Sequence, residues 1–342
     1  TAALDTSTIY ASDPYKASKM TGNKSLQKPA HIERANKASD IVNESIVFSQ
    51  LPSSWHPYIR LARLDRPIGT WLLLIPCWQG LALAFASSQS SLDWQLIYFA
   101  ILFALGAVLM RGAGCALNDI ADRNIDGKIA RTALRPIPAG DITVRQAIVF
   151  MMLLMFGGAL VLIQFNLPTI IVGLASLPFA AIYPFMKRFT WWPQLFLGIA
   201  FNWGILVGWT AIVEQLSWPP IILYLAGVMW TLGYDTIYAH QDKEDDALVG
   251  VKSTARLFQA KSKYWISAFY VLSILGTVTA GLLAGLSALL ILFLMPFAYH
   301  LIRQSLRTNF NEPAECLLAF KSNRNAGFLM LVGIILTKLF QA

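Results

Sequence analysis

The stretch from residue 111 to 136, RGAGCALNDIADRNIDGKIARTALRP, places a dense group of carboxylates directly after a long apolar segment. If that segment is a helix that continues into the motif, Asn118, Asp122 and Asp126 lie four residues apart on one face, with Asp119 beside them. Carboxylates on one face repel each other unless a cation lies among them. The spacing therefore indicates a cation site at the end of an apolar helix.

Basic residues surround the same motif, so the site has room for an anion as well as a cation. They are Arg111, Arg123, Lys128, Arg131 and Arg135. Mg²⁺ suits this combination, because it keeps much of its water, takes one or two carboxylates directly and completes its coordination with phosphate oxygens. We predict that the motif binds a magnesium-bound diphosphate; the alternative is a solvated loop between two membrane helices.

A second acidic cluster lies in the stretch GYDTIYAHQDKEDDALVGVKSTA. Tyr238, Asp242 and Asp246 repeat the four-residue spacing of the first cluster, and Asp235 lies two turns before Asp242. A carboxylate such as Asp235, within an apolar segment, costs about 2.5–3.5 kcal/mol in lipid, so we expect it to line a wet cavity. Two such clusters facing one cavity can hold two magnesium ions across one diphosphate.

Composition places these motifs in a membrane protein. The 342 residues are 56% hydrophobic and 13% charged, with a mean hydropathy of +0.53, which is typical of a polytopic membrane protein. The net charge of +8 comes from basic residues in short loops between apolar runs, so it indicates topology and contact with anionic lipid and not nucleic-acid binding. The three scattered cysteines indicate neither a disulfide framework nor a zinc site.

The chain divides into a polar tail, residues 1–50, which we expect to be disordered, and a membrane domain, residues 51–342. Acidic residues in the tail argue against an Arg-rich mitochondrial transit peptide. We therefore favour a bacterial inner membrane, with the mitochondrial inner membrane as the alternative.

Nine apolar runs approach the length of about 20 residues that a helix needs to cross a membrane. Their ranges are 68–86, 94–117, 146–164, 168–186, 193–213, 219–239, 264–282, 286–302 and 325–340. Alternate connections between them have no Lys or Arg, so the basic loops and both acidic clusters should face the cytoplasm or matrix. The clusters follow the second and sixth runs, which predicts an all-α bundle of two four-helix halves plus a ninth helix.

Both motifs resemble a known pair of signatures. NDIADRNID has the form NDxxDxxxD, and YDTIYAHQDKEDD is followed by GVKSTA, as in the UbiA superfamily of membrane prenyltransferases. Three flanking stretches, RLDRPIGTWLLLIPCWQG, RTALRPIPAG and YPFMKRFTWWPQ, look like the branch that acts on 4-hydroxybenzoate. The resemblance covers about residues 55–340 and leaves the tail out.

The resemblance implies a nine-helix bundle that binds an isoprenyl diphosphate through Mg²⁺, with the prenyl tail toward lipid. The metal-binding residues that it implies are Asn118, Asp122 and Asp126 for one ion, Asp119 in support, and Asp242 with Asp246 for the other. Diphosphate-binding residues would be Arg66, Arg123 and Lys252. For the aromatic acid, Lys187 and Arg188 would hold the carboxylate, with Tyr238 beside the ring. We expect Asp235 to be a catalytic residue near the acceptor, and the identity of the proton-accepting base stays open.

The implied reaction transfers a polyprenyl group from an all-trans polyprenyl diphosphate to the ring carbon ortho to the hydroxyl of 4-hydroxybenzoate, a step of ubiquinone biosynthesis. Magnesium and cationic side chains would assist ionisation of the diphosphate, and aromatic faces would stabilise the resulting allylic cation. Candidates for those faces are Tyr183, Tyr234, Tyr238 and Trp203. Partners would be the lipid bilayer and other enzymes of the quinone pathway.

Other functions and simpler roles fit parts of the pattern. The acceptor of the same fold could be another aromatic or quinone precursor, and intramembrane acids also mark divalent-cation transporters. A transporter should carry its carboxylates near the midplane, whereas both clusters here lie at helix ends. Arg66 before Pro67 would also serve as an interfacial anchor, and Lys187 with Arg188 as a topology signal.

Overall fold

The computed structural model describes residues 50–88, 94–127 and 132–341, apart from the side chain of residue 125. All regular secondary structure in these ranges is helical, as the sequence predicts. The polar tail, except for residue 50, lies outside the described residues, so its expected disorder stays a prediction.

Fifteen α-helices are described, and we number them in chain order. They are α1 His56–Leu61, α2 Ile68–Ser87, α3 Trp94–Asp126, α4 Val144–Leu162, α5 Leu167–Ala175, α6 Leu177–Phe189, α7 Pro193–Asn202, α8 Gly204–Val213, α9 Trp218–Ala239, α10 Lys243–Val249, α11 Thr254–Phe258, α12 Ser262–Leu283, α13 Leu289–Phe293, α14 Met295–Arg307 and α15 Pro313–Phe340. Short 3₁₀ turns at Ser53–Trp55, His240–Asp242 and Gln259–Lys261 join some of them.

Seven helical segments among the described residues are long and apolar enough to cross a membrane. They correspond to the first seven predicted apolar runs, so the count of nine is not confirmed. The eighth run is divided between α13 and α14, and α14 carries polar side chains. The ninth run is the second half of α15, whose first half is charged and polar.

Two of the first seven predicted spans are each built from two helices. The fourth breaks at Ser176, where Pro178 follows in the first turn of α6. The fifth breaks at Trp203, between α7 and α8. The outward sides of α4 and α5 are largely apolar and exposed, as lipid-facing helices should be.

The central helices are α2 and α9, which bury most of their surface. Helix α2 packs against α8 and α15, and α9 packs against α12. Close approach of α2 and α8 depends on Gly80, where a Cβ atom would lie 2.1 Å from the carbonyl oxygen of Ile205. Trp230 and Tyr234 of α9 anchor the apolar core that these helices share.

Buried polar contacts join the last helices to the rest. Trp230 Nε1 donates to Asn323 Oδ1 of α15 at 2.9 Å, and Gln304 Nε2 of α14 donates to Ser322 Oγ at 2.9 Å. The Tyr270 hydroxyl of α12 donates to Gln304 Oε1. Because polar side chains in an apolar medium are costly when unpaired, this network favours one arrangement of α9, α12, α14 and α15.

Candidate active site

A polar cavity of about 290 Å³ opens where the ends of α3 and α9 meet. All seven acidic-motif positions singled out in the sequence line it: Asn118, Asp119, Asp122, Asp126, Asp235, Asp242 and Asp246. The two acidic clusters are separated by more than a hundred residues in the chain but face one chamber. In this arrangement both acidic clusters can contact one ligand in the cavity.

Helix α3 delivers the first cluster. It runs without interruption to Asp126, so Asn118, Asp122 and Asp126 share the face that the four-residue spacing predicts. Asp122 is 0% exposed and Asp126 is 3% exposed. Burial raises the pKa of the Asp126 carboxyl above its ordinary value, an effect opposed by the charge of the Arg135 guanidinium.

Cationic side chains already pair with these carboxylates. Lys187 Nζ donates to Asp122 Oδ2 at 2.5 Å, and Arg188 Nη2 lies 3.4 Å from Asp122 Oδ1. Arg135 Nη1 donates to Asp126 Oδ2 at 2.9 Å. Lys187 and Arg188 therefore contact the first acidic cluster, although the family resemblance implied that they hold the carboxylate of the aromatic acid.

Asp119 has two arginine partners. Arg63 Nη2 lies 2.7 Å and Arg135 Nη1 lies 3.2 Å from Asp119 Oδ1, and the Asp119 side chain is 0% exposed. Sequence reasoning missed Arg63, because the mixture of basic and apolar residues at helical spacing in residues 55–66 is also typical of an interfacial helix on lipid. Only the turn after α1 brings its guanidinium inward.

The backbone of Arg63 adopts a left-handed conformation, with φ of 59°. Its N–H bonds the Arg60 carbonyl at 3.2 Å, and the Leu64 N–H bonds the Ile59 carbonyl at 3.1 Å, which together close α1 in a Schellman-type cap. Glycine is the usual residue at this position, since a left-handed non-glycine residue costs about 1–2 kcal/mol. The side chain of Arg63 must therefore offset this cost, and its contact with Asp119 does so.

The second cluster is built differently from the prediction. Helix α9 ends at Ala239, a 3₁₀ turn covers His240–Asp242, and α10 begins at Lys243, so Tyr238, Asp242 and Asp246 do not share one continuous helix. The turn preserves access to the cavity for all three side chains. The three residues therefore all face the cavity, although they do not lie on one helix as the four-residue spacing predicted.

The chain after α10 also follows the cavity wall. Gly250, with φ of 76°, ends α10 in the left-handed conformation that glycine tolerates best. The Lys252 N–H then donates to the Lys187 carbonyl at 2.9 Å, and Lys252 Nζ donates to the Phe189 carbonyl at 3.1 Å. These bonds tie the second acidic segment to the end of α6.

The predicted basic residues divide into two groups. Arg66, Lys187 and Lys252 line the cavity, whereas Arg123 and Arg188 do not. Arg123 follows Asp122 directly, so it points about 100° away around α3, and its exposed guanidinium donates to the Ile120 carbonyl at 3.0 Å. The structure thus does not bring Arg123 to the chamber that the other diphosphate candidates share.

Arg111 lines the membrane-facing end of the cavity. It precedes Asp122 by eleven residues, or about 16 Å along α3 at 1.5 Å per residue. Its guanidinium lies 5.4 Å from the centre of the Phe201 ring, and within the described residues it makes no ion pair. Arg111 is one of the basic residues that surround the first motif in the sequence, and its position inside an apolar run is a further signal, because such a charge usually marks a functional site.

Aromatic side chains surround the same end. Tyr183, Tyr234, Tyr238 and Phe320 line the cavity. The ring centres of Tyr238 and Phe320 are 4.4 Å apart. Trp203, which sequence reasoning included with the tyrosines, instead lines a separate apolar cavity of about 280 Å³ and donates to the Val172 carbonyl at 2.8 Å.

The donor set fits Mg²⁺. It consists of carboxylate and amide oxygens, which a hard cation prefers. Within residues 50–88, 94–127 and 132–341, no three His, Cys, Asp or Glu side chains already converge as a metal cluster. Mg²⁺ does not need one, because it retains waters and takes further oxygens from a bound phosphate. Any such ion at Asp122 would compete with the Lys187 ammonium.

Comparison with known proteins identifies the arrangement. A model of the UbiA prenyltransferase family matches residues 73–332. The 4-hydroxybenzoate polyprenyltransferase, mitochondrial, of Bos taurus is 45% identical over 308 residues, which cover 88% of this chain and 80% of that protein. The Homo sapiens protein of the same name is 44% identical over 323 residues, which cover 92% and 84%. Since these relatives are mitochondrial, they do not support the expectation of a bacterial membrane.

Solved structures share the fold. The apo structure of a UbiA homolog from Aeropyrum pernix K1 has a TM-score of 0.65 at 25% identity and covers 78% of this chain and 97% of that one. A UbiA homolog from Archaeoglobus fulgidus, solved with GPP and Mg²⁺, has a TM-score of 0.62 at 17% identity and covers 83% and 99%. The same homolog has also been solved with Cd²⁺.

Proposed function

The chain belongs to the UbiA prenyltransferase family, and we propose from this premise that it prenylates 4-hydroxybenzoate. It transfers a polyprenyl group from an all-trans polyprenyl diphosphate to the ring carbon ortho to the hydroxyl, a step of ubiquinone biosynthesis. The observation that carries the proposal is the single cavity that both acidic clusters line. Relatives that share about 45% of its residues are named for this activity.

The acidic end of the cavity binds the diphosphate. Asn118, Asp122 and Asp126 on one wall and Asp242 with Asp246 on the other would hold Mg²⁺, with Arg66 and Lys252 contacting diphosphate oxygens. Magnesium, when bound, neutralises the diphosphate and makes it a better leaving group. Lys187 adds a positive charge beside Asp122, so it helps to compensate the negative charge that develops as the allylic C–O bond breaks.

The aromatic wall protects the allylic cation that ionisation produces. The faces of Tyr234, Tyr238 and Phe320 each stabilise a nearby cation by about 0.5–2 kcal/mol, and their bulk excludes water that would quench it. The ring carbon beside the phenol hydroxyl then forms the new C–C bond. Asp235, which lines the same end of the cavity, accepts the ring proton and so restores aromaticity.

Arg111 is our candidate for holding the carboxylate of 4-hydroxybenzoate. It lies in the cavity wall near Asp235, and it makes no ion pair with a described carboxylate, whereas Lys187 and Arg188 both contact Asp122. The Arg111 Nε makes no hydrogen bond among the described residues, and a guanidinium with an unused donor favours a carboxylate ligand. Lys187 and Arg188 then act mainly on the diphosphate side.

The protein spans a membrane, and we assign it to the mitochondrial inner membrane with the cavity on the matrix side. The names of the relatives support the organelle, and the basic loops around the cavity support the orientation. We also propose that the chain divides into a tail, residues 1–50, and a membrane domain, residues 51–342. We propose further that it associates with other enzymes of the quinone pathway.

The deciding experiment is an assay of the purified full chain with labelled 4-hydroxybenzoate and several polyprenyl diphosphates. Product should form with Mg²⁺ and stop when a chelator is added. Asp122→Asn and Asp242→Asn should each lower turnover by about 10²-fold or more, the range for losing one group that stabilises developing charge. Asp141→Asn and Glu244→Gln are matched controls, because both carboxylates are exposed and lie outside the cavity lining.

Product formed from homogentisate but not from 4-hydroxybenzoate would show that the acceptor is wrong. Magnesium-independent turnover, or full activity of both Asp→Asn variants, would contradict the role of the two acidic clusters. Thermal unfolding of each variant separates loss of activity from loss of fold.

A further inference from the structure

Asp119 has surroundings unlike those of the other carboxylates in its motif. A single oxygen, Oδ1, lies 2.7 Å from Arg63 Nη2 and 3.2 Å from Arg135 Nη1. Two guanidinium groups therefore share one carboxylate oxygen in a fully buried position. Asp122, by comparison, contacts Lys187 and Arg188 of α6, whose side chains are more exposed.

Magnesium has little reason to bind Asp119. A divalent ion at Oδ1 would lie next to two positive charges, which repel it strongly in a buried site. The second oxygen, Oδ2, is buried and makes no hydrogen bond in the part of the chain that the structure describes. An ion there would still lie beside the same two guanidinium groups.

The two arginines, in contrast, are placed to meet an anion. Both line the polar cavity. Arg63 uses Nη1 for the Arg60 carbonyl at 3.0 Å and Nη2 for Asp119, which leaves other N–H groups of its five for a ligand. A planar guanidinium matches the oxygens of a phosphate better than an ammonium does.

We propose that Asp119 is a positioning residue that does not ligate magnesium. Its carboxylate holds the Arg63 and Arg135 guanidinium groups in the cavity wall, and these two groups bind the oxygens of the diphosphate. The proposal rests on the proposed function, because it concerns the same diphosphate site. It replaces Arg123, which lies outside the cavity, with Arg63 and Arg135 as the cations of this wall.

The backbone of Arg63 supports the proposal independently. Arginine occupies a left-handed position, φ 59°, at which glycine would suit the cap of α1 better. A residue that opposes its local backbone preference indicates a role for its side chain. Replacing Arg63 with glycine therefore removes the cation while relaxing the turn, which separates a ligand-binding role from a purely structural one.

The test measures binding of inorganic diphosphate to the purified full chain by calorimetry, over a range of Mg²⁺ concentrations and without any acceptor. Asp119→Asn and Arg63→Gly should each weaken diphosphate binding by about tenfold or more, the effect of losing a charged hydrogen bond. The Mg²⁺ concentration for half-maximal binding should stay within about twofold of the unsubstituted chain, whereas Asp122→Asn should raise it by about tenfold. Asp141→Asn serves as the matched control.

Arg63→Gly relaxes the turn but also removes a buried partner of Asp119, so its unfolding midpoint is measured in parallel. Weak binding with an unchanged midpoint is not a folding defect. Combining Asp119→Asn with Arg63→Gly should weaken binding by less than the product of the two single effects, since Asp119 acts in part through Arg63. Arg63→Lys should recover part of the affinity. An Asp119→Asn variant that needs as much extra Mg²⁺ as Asp122→Asn, or that binds diphosphate normally, would overturn the positioning role.

Failure of the proposed function gives a different result. In that case the unsubstituted chain itself does not bind diphosphate in the presence of Mg²⁺. Normal binding by the unsubstituted chain and by both Asp119→Asn and Arg63→Gly overturns the positioning role alone.

Discussion

The carboxylates of the first acidic cluster differ in the cationic side chains that they contact. Asp119 and Asp126 share Arg135, while Asp122 contacts Lys187. Removing one member of a buried ion pair is far more costly than the net value of the pair, because the remaining charge is left uncompensated. Substitutions in this cavity should therefore alter ligand binding through the partner that remains as well as through the side chain that is lost.

Arg111 provides the sharpest prediction at this scale. Arg111→Met should raise the KM for 4-hydroxybenzoate by about 10–100-fold, because a hydrogen-bonded charge contributes about 1.5–3 kcal/mol. The KM for the polyprenyl diphosphate should change much less. Steady-state kinetics with each substrate varied in turn measures both values.

Lys187→Met is the matched control for Arg111→Met. It removes a cation from the same cavity on the diphosphate side, so it should affect the diphosphate KM first. Phenol, which has no carboxylate, should be as poor an acceptor for Arg111→Met as 4-hydroxybenzoate is. The reverse pattern, with the acceptor defect in Lys187→Met and none in Arg111→Met, would restore the carboxylate role to the end of α6.

Helices position these side chains by two means, close glycine contacts and buried polar bonds. Helix α2 approaches α8 so closely at Gly80 and Gly208 that no side chain fits between the backbones. Helices α14 and α15 are joined to the core through Asn323 and Gln304. Neither device depends on hydrophobicity, which gives little discrimination between helices inside a bilayer.

Gly80→Ala should separate α2 from α8. The added Cβ atom would lie 2.1 Å from the Ile205 carbonyl oxygen, and a backbone atom has no alternative rotamer to adopt. Overpacking of this kind costs about 1–3 kcal/mol or more. A thermal unfolding assay in detergent should show a clearly lower midpoint for Gly80→Ala.

Gly106→Ala is the control for this prediction, because its Cβ atom would have its nearest neighbour at 3.5 Å, an ordinary contact. Its unfolding midpoint should stay near that of the unsubstituted chain. Equal midpoints for Gly80→Ala and the unsubstituted chain would show that the close contact of α2 and α8 is not required.

Asn323→Ala should destabilise the attachment of α15. The change leaves the Trp230 indole N–H without its acceptor, and a buried unpaired polar group costs about 1–3 kcal/mol. Asn325→Ala, on the same helix and exposed, should have no comparable effect. Unfolding midpoints of the two variants give the comparison, and equal midpoints would argue against the polar network as a determinant of stability.

The whole molecule gathers its charged loops and both acidic clusters at one end of the bundle. The connections that carry no Lys or Arg lie at the other ends of the spans, as the distribution of charge along the chain predicts. Asymmetry of this kind confines the diphosphate, which is strongly charged, to one aqueous side while the prenyl chain remains in lipid. The candidate active site therefore depends on the orientation of the spans, which places both acidic clusters at the same end of the bundle.

Two engineered thiols, each accessible from a different side of the membrane, test this orientation. A membrane-impermeant maleimide applied to sealed vesicles should label Leu248→Cys, beside the cavity, and Gln215→Cys, between α8 and α9, from opposite sides. Both positions are exposed, and the side chain of Leu248 is 88% exposed. The chain without either substitution is the control, because Cys115 and Cys316 are buried and Cys77 is partly buried. Labelling of both positions from one side would contradict the predicted topology.

The sequence alone determined the helical membrane class, the family resemblance and the residues of both acidic clusters. These features depend on local properties, namely apolar length, the helical repeat and motif spacing. The interruption at His240–Asp242, which divides the second cluster between α9 and α10, left no sign in that spacing.

Only the tertiary structure decided which charges meet. Arg63 contacts Asp119 across 56 residues, Arg123 points away from the cavity, and Arg111 lies beside Phe201. Ion pairs between distant segments depend on how helices pack and where turns direct the backbone, and a one-residue change around a helix moves a side chain by about 100°. For this reason the acidic residues of the site could be predicted from sequence, whereas the partners of its arginines and lysines could not.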